Sequence, residues 1–146
     1  MLTSLYRLAD FARHHGRQHS WDPDMATGRR GEDIAHRFLQ RAGLTVVARN
    51  HRTTGGSGEV DLVAWDGDHL VFVEVKTRAS KEFGPPDRAV GGDKAQKIIR
   101  AARDYALKAN FPWENVRFDV VGIVLDTPPT VTHLKDVFTV HSLQPV

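Results

Sequence analysis

Between Gly58 and Arg78 the chain reads Gly-Glu-Val-Asp-Leu-Val-Ala-Trp, an Asp-Gly-Asp break, then His-Leu-Val-Phe-Val-Glu-Val-Lys-Thr-Arg. Two runs with the composition of strands thus carry ionised groups where apolar residues are expected. Strand side chains alternate with period two, which puts Asp61 on a face with Glu59, Val63 and Trp65, and puts Glu74 and Lys76 on a face with Leu70, Phe72 and Arg78. The Asp-Gly break predicts a hairpin. With a two-residue turn at Asp66-Gly67 or at Gly67-Asp68, Asp61 comes opposite Phe72 or opposite Glu74, and the two carboxylates lie roughly 5 to 8 Å apart on one face. One divalent cation can bridge that gap.

Two carboxylates from neighbouring strands are hard oxygen donors. Such sites take magnesium or manganese, with waters and substrate phosphate oxygens completing the octahedron. The carbonyl of Val75 is a further candidate ligand. A cation so held polarises a phosphodiester and lowers the pKa of a bound water, while Lys76 orients the nucleophile or neutralises charge in the transition state. Taken alone, a Glu-x-Lys triplet reads more readily as a solvated ion pair on a half-exposed face. Glu32 shifts that balance. It lies three and seven residues before Ala35 and Leu39, at the edge of a helical apolar stripe, and a carboxylate directed at a core needs a partner. The helix dipole accounts for an acid near the N-terminus equally well. Combined with the hairpin, three acids and one lysine are expected to converge.

The elements that must position these groups are legible in outline. Ile34, Ala35, Phe38, Leu39 and Ala42 mark one face of a helix over residues 28–42, with Gly43 as a left-handed cap. Residues 44–50 read as a strand, Thr53 to Ser57 as a Gly-rich turn, and the hairpin supplies strands two and three. Gly84-Pro85-Pro86 and Gly91-Gly92 place a surface loop over residues 79–92. Asp93 with Gln96 forms a capping-box pattern for a second helix reaching Asn110, striped by Ala95, Ile98, Ile99, Ala102 and Ala106. Residues 115–125 form strand four, parallel to strand three through a right-handed crossover, and residues 130–140 form a fifth. The order αβββαββ predicts an α/β fold with a mixed central sheet flanked by helices. Residues 1–25 read as an N-terminal extension, flexible or partly helical, in which Leu2, Leu5, Leu8, Ala9 and Ala12 recur at helical spacing; residues 26–146 read as a single domain.

Composition narrows the classes of function. A chain of 146 residues, 40% hydrophobic, suits one globular domain. The absence of cysteine excludes a disulfide framework, a thiolate zinc site and a cysteine nucleophile, and biases the reading towards the cytoplasm. Arg7, Asp10, Arg13, His14 and His15 interrupt the apolar positions of the N-terminal segment, so no membrane association is expected. A net charge of +2 permits an anionic partner without requiring one. The eight histidines lack zinc-site spacing, and the run Thr53-Thr54-Gly55-Gly56-Ser57 lacks the lysine of a phosphate-binding loop.

From Gly28 to Val140 the chain resembles the YraN-like family, bacterial proteins of unestablished role that look like distant relatives of archaeal Holliday junction resolvases in the PD-(D/E)xK nuclease superfamily. The likeness rests on Gly31-Glu32, Ala48-Arg49-Asn50, Gly58-Glu59-Val60-Asp61, Phe72 to Arg78, Lys94, and Arg117-Phe118-Asp119-Val120-Val121. It implies a restriction-endonuclease-like αβββαβ core and a nuclease-like domain over residues 26–146. It carries Glu32, Asp61, Glu74 and Lys76 onto the superfamily's metal and lysine positions. The implied activity is a magnesium- or manganese-dependent endonuclease acting on DNA, structured or branched, and resolvase kinship suggests a homodimer. The alternative is a non-catalytic module that binds nucleic acid or protein and retains the fold. Arg78, on the face of Lys76, and Lys94, at a helix start, are the first candidates for phosphate contacts, with Arg49 and Arg52 beside them. Glu59 reads first as a residue at the start of its strand facing water, and second as one that positions a ligand.

Overall fold

The computed structural model describes residues 25–80, 90 and 92–138. Helix α1 spans Met25–Arg41. Gly43 ends it at φ 96°, with its N–H on the Gln40 carbonyl at 3.1 Å and the Leu44 N–H on the Leu39 carbonyl at 2.9 Å, the paired bonds of a Schellman cap. The expected start at Gly28 falls inside the helix, because the first turn carries no residue of the apolar stripe. Strands β1 (Thr45–Arg52), β2 (Glu59–Asp66) and β3 (His69–Arg78) follow as an antiparallel meander. Helix α2 (Gly92–Lys108) crosses over to β4 (Val116–Val124), which runs parallel to β3, and β5 (Thr130–Phe138) returns antiparallel beside β4. The sheet order is β1-β2-β3-β4-β5, with the expected meander of the first three strands and the expected parallel pairing of β3 with β4.

Helix α2 stops as α1 does. Asn110 at φ 52° donates to the Leu107 carbonyl and Phe111 to the Ala106 carbonyl, at 3.1 and 2.8 Å. It starts at Gly92, so Asp93 lies within its first turn, where the helix dipole favours a carboxylate, rather than ahead of it as a capping residue. Of the expected features, residues 1–24, residues 81–89 and 91 of the loop, and the end of the fifth strand beyond Phe138 lie outside the described residues.

Strand β3 is the axis of the core, buried from Leu70 to Lys76. A strand covered on both faces needs a near-continuous apolar run, and Leu70-Val71-Phe72-Val73 supplies it. On one face Val63, Leu70, Phe72, Phe118 and Val120 pack against Ala95, Ile98 and Ala102 of α2. On the other, Leu62, Ala64, Val71, Val73, Val121 and Ile123 pack against Ala35 and Leu39 of α1. Each large side chain so enclosed contributes about 1.5 to 3 kcal/mol. The result is the expected αβββαβ core with one helix on each face, plus β5. No helix among the described residues is long and apolar enough to cross a membrane.

Strand β4 carries one charge into this core. Asp119 is 1% exposed, and its carboxylate accepts from Arg117 Nε and Nη2, each at 2.9 Å, from His133 Nε2 at 2.7 Å and from the Asp136 backbone N–H at 3.0 Å. The β4–β5 register shifts at this point, and Asp136 sits at φ 54°, so the carboxylate accepts an N–H that the ladder leaves over. Arg117 continues the network to Asp66 at 2.9 Å, tying β4 to the hairpin between β2 and β3. Burial pushes the Asp119 pKa up, but the hydrogen bonds from His133, Arg117 and Asp136 outweigh it and hold the pKa below its ordinary value. A depressed folded-state pKa contributes stability that is present above the unfolded value, about 3.9, and is lost as pH falls through the folded value. Asp119→Asn should therefore cost about 3 kcal/mol at neutral pH and flatten the loss of stability below about pH 4, as measured by urea unfolding between pH 2.5 and 7. An unchanged acid limb in the variant would show that Asp119 does not anchor β5.

Candidate functional site

The hairpin closes on Asp66↔His69 around the turn Gly67-Asp68, with Gly67 at φ 57°, so the second of the two predicted registers is the one adopted. That register brings Asp61 opposite Glu74. Regular pairing nevertheless ends one step earlier, at Leu62↔Val73. Beyond it the Val75 N–H donates to Asp61 Oδ2 at 2.8 Å instead of to a carbonyl of β2. The two strands part here, and a carboxylate stands in for the missing ladder bond. The N–H and C=O of one strand residue point to the same side, so the Val75 carbonyl also faces the β2 side past the end of the ladder.

At the same end of the sheet lies a cleft of about 410 Å³ lined by Glu32 from α1, Asn50 and Arg52 from β1, Glu59 and Asp61 from β2, and Lys94 from α2. Glu74 does not line it; it is 1% exposed, with Nζ of the cleft residue Lys94 3.8 Å from its Oε2. Burial, and then the charge of Asp61, raise the Glu74 pKa well above the usual carboxylate range. Burial and Asp61 also raise that of Glu32, against the opposing pull of Asn50 and Arg49. Burial works against the Lys94 charge, yet Glu74, Asp61 and Glu59 together hold its pKa above the ordinary value. Negative charge is thus crowded into one end of the sheet.

Crowded hard oxygens are the condition under which a divalent cation is bound. Among the described residues no three acidic or histidine side chains form a ready-made metal-ligand set. A magnesium-type ion requires only one or two carboxylates, since waters and phosphate oxygens complete its shell. Asp61 and Glu74 with the Val75 carbonyl fit that requirement.

Each residue named from the sequence has a definite place. Glu32 and Asp61 line the cleft, and the charge of Asp61 acts on both Glu32 and Glu74. Lys76 follows Glu74 along β3 and is 3% exposed. Arg52 lies at the cleft with 71% of its side chain exposed, 3.7 Å from Glu59. Arg78 is 7% exposed, buried on β3 as Glu74 and Lys76 are, and none of the three is among the residues that line the cleft. Arg49 is committed to α1, 2.8 Å from Asp33 and 3.6 Å from Glu32. Lys94 turns inward, 3.1 Å from Glu59 and 3.8 Å from Glu74. Glu59 does not simply face water: it lines the cleft, and although burial pushes its pKa up, Lys94 brings it below the ordinary value. Asn50 was not a predicted site residue. It takes φ 50° at the end of β1 and donates from Nδ2 to Glu32 Oε2 at 3.3 Å. The signal available was an asparagine in a strand, a residue that tolerates left-handed backbone.

A model of the family described as "Uncharacterised protein family UPF0102" matches residues 31–123. A UPF0102 protein of Solibacter usitatus is 48% identical over 138 residues, covering 94% of this chain and all of the relative. A UPF0102 protein of Nocardia farcinica is 46% identical over 116 residues, covering 77% of this chain and 89% of the relative. One from Koribacter versatilis is 42% identical over 117 residues, covering 78% and 80%. The family resemblance expected from the sequence is borne out, and the relatives' names state no activity.

The matched segment opens at Gly31, where α1 approaches β3 so closely that an added Cβ would collide with the Thr77 side chain. This contact fixes the height of the neighbouring Glu32 over the sheet end. At Gly58 a Cβ would stand 2.7 Å from the backbone nitrogen of Ala101, so α2 is seated equally tightly against the start of β2. Helix propensity alone favours alanine over glycine by about 1 kcal/mol. Gly28→Ala, with open space around it, should therefore raise stability by up to about 1 kcal/mol, whereas Gly31→Ala should lower it by about 1 to 3 kcal/mol. Urea midpoints of the two variants, measured side by side, check this; a stabilised Gly31→Ala would refute the close approach.

Proposed function

We propose that this chain, which belongs to the uncharacterised protein family UPF0102, is a metal-dependent endonuclease that hydrolyses phosphodiester bonds of DNA, with branched or structured DNA the preferred form. What supports this reading is that Glu32 and Asp61, from two elements, line one cleft and that the charge of Asp61 raises the pKa of both Glu32 and buried Glu74. Asp61, Glu74 and the Val75 carbonyl are the groups that would hold magnesium or manganese, with Glu32 beside them. Bound there, the ion supplies Lewis acidity and a water of lowered pKa.

The chain's own residues supply the rest. The Val75 N–H fixes one oxygen of Asp61 and so orients its carboxylate at the cleft wall. Glu32 keeps 19% of its side chain exposed, and its raised pKa makes its carboxylate a better acceptor of a water proton than an ordinary glutamate. Lys76, two residues past Glu74 on the same strand face, sets a positive charge where the transition state gains negative charge. Arg52, exposed at the cleft, meets a flanking phosphate and so fixes register without reading sequence. The preference for DNA, and a two-fold homodimer that cuts both strands, rest on the likeness to resolvases.

One observation favours a second reading: Lys94 lies between Glu59 and Glu74, so an internal ion pair already offsets part of the negative charge. On that reading the chain is a non-catalytic nucleic-acid-binding module. Labelled linear, single-stranded, flapped and four-way-junction DNA, incubated with magnesium, manganese or chelator, separates the two. Wild-type protein should cut in a metal-dependent manner, Glu74→Ala should not, and Lys76→Ala should be slowed at least about a hundredfold while still binding manganese. Cutting that survives chelator would overturn the metal dependence, and cutting that survives Glu74→Ala would overturn the assignment of the site. DNA binding without cutting, undiminished in Glu74→Ala and falling steeply with salt, would support the binding module.

A further inference from the structure

A lysine that collects phosphate from solvent points outward, and Lys97 and Arg100 on α2 do so. Lys94, in the first turn of the same helix, does not. Only 18% of its side chain is exposed, and its Nζ lies 3.1 Å from Glu59 Oε1 and 3.8 Å from Glu74 Oε2, in the cleft that Asp61 and Glu32 also line. The ammonium therefore sits at one of the oxygens that a divalent cation would take.

We propose that Lys94 is the resident counter-cation of this cleft, which a divalent metal must displace from Glu74 in order to bind. The inference rests on the metal-dependent reading of the site. It assigns Lys94 a positioning role and Glu59 a defined one. The four-carbon stem of a lysine lets its ammonium swing, and Glu59, the closer partner, retains Lys94 on the cleft wall when Glu74 is given up to the metal. An ammonium and a divalent ion that share one carboxylate oppose each other's binding by equal factors. Removing the ammonium must then tighten metal binding, the reverse of what loss of a ligand does.

Manganese alone is the probe, titrated calorimetrically into full-length protein without DNA. Relative to wild type, Lys94→Met should bind manganese about tenfold more tightly. Lys94→Arg, which keeps the charge, and Lys97→Met, which removes an exposed charge one turn on, should remain near the wild-type affinity. Adding Glu74→Ala to Lys94→Met should abolish the gain. If Lys94→Met does not fold, Lys94→Gln, which keeps a hydrogen-bond donor towards Glu59, makes the same comparison. Equal or weaker binding by the Lys94 variant, with wild type binding normally, would overturn the inference and leave the metal site standing. Absence of binding in wild type and variant alike would remove the metal site and the inference together.

Discussion

The site depends on where β2 stops pairing with β3. Past Leu62↔Val73 the Val75 N–H is held by the Asp61 carboxylate, and the strands separate without leaving that N–H unbonded in the interior. Three consequences share this origin. The Asp61 carboxylate is held at the end of the ladder, the Val75 carbonyl is left facing the β2 side, and buried Glu74 feels the charge of Asp61. Continued ladder pairing would have closed the same face into ordinary core. The two helices reach the cleft from opposite sides of the sheet, α1 bringing Glu32 and α2 bringing Lys94, and their close seating at Gly31 and Gly58 leaves little slack in either position.

Asp119 and Glu74 are both 1% exposed acids on neighbouring strands, yet their surroundings oppose each other. Asp119 accepts bonds from two side chains and a backbone N–H, and its charged form is favoured. Glu74 has burial and Asp61 working against its charge, with Lys94 as the opposing cation at 3.8 Å. The first arrangement pins β5 and the hairpin. The second buries a carboxylate beside another acid and raises its pKa, a condition that marks functional sites more often than structural ones. Burial of charge alone does not distinguish the two; the sign of the neighbouring charges does.

Periodicity and turn chemistry carried the helices and the hairpin, because each depends on residues close in sequence. Gly43 marked the end of α1, and Asp66-Gly67-Asp68 confined the hairpin to two registers, one of which is adopted. The meeting of Glu32 with Asp61 was legible from the edge of one apolar stripe. What alternation could not show is where a ladder ends, since parity assigns a face and not a hydrogen-bond partner. The inward turn of Lys94, the commitment of Arg49 to α1 and the burial of Arg78 are likewise set by partners distant in sequence. The register shift that calls for Asp119 lies in β5, seventeen residues from the carboxylate that answers it.

Glu32 and Glu74 are both coupled to the charge of Asp61. Carboxyl-detected NMR titration of Glu32 and Glu74 in wild-type protein and in Asp61→Asn tests it directly. Both glutamates should titrate above the ordinary value of 4.5 in the wild type, and both should fall when the Asp61 charge is removed. Titration of both near 4.5, unaltered by Asp61→Asn, would mean that the three carboxylates do not share a site.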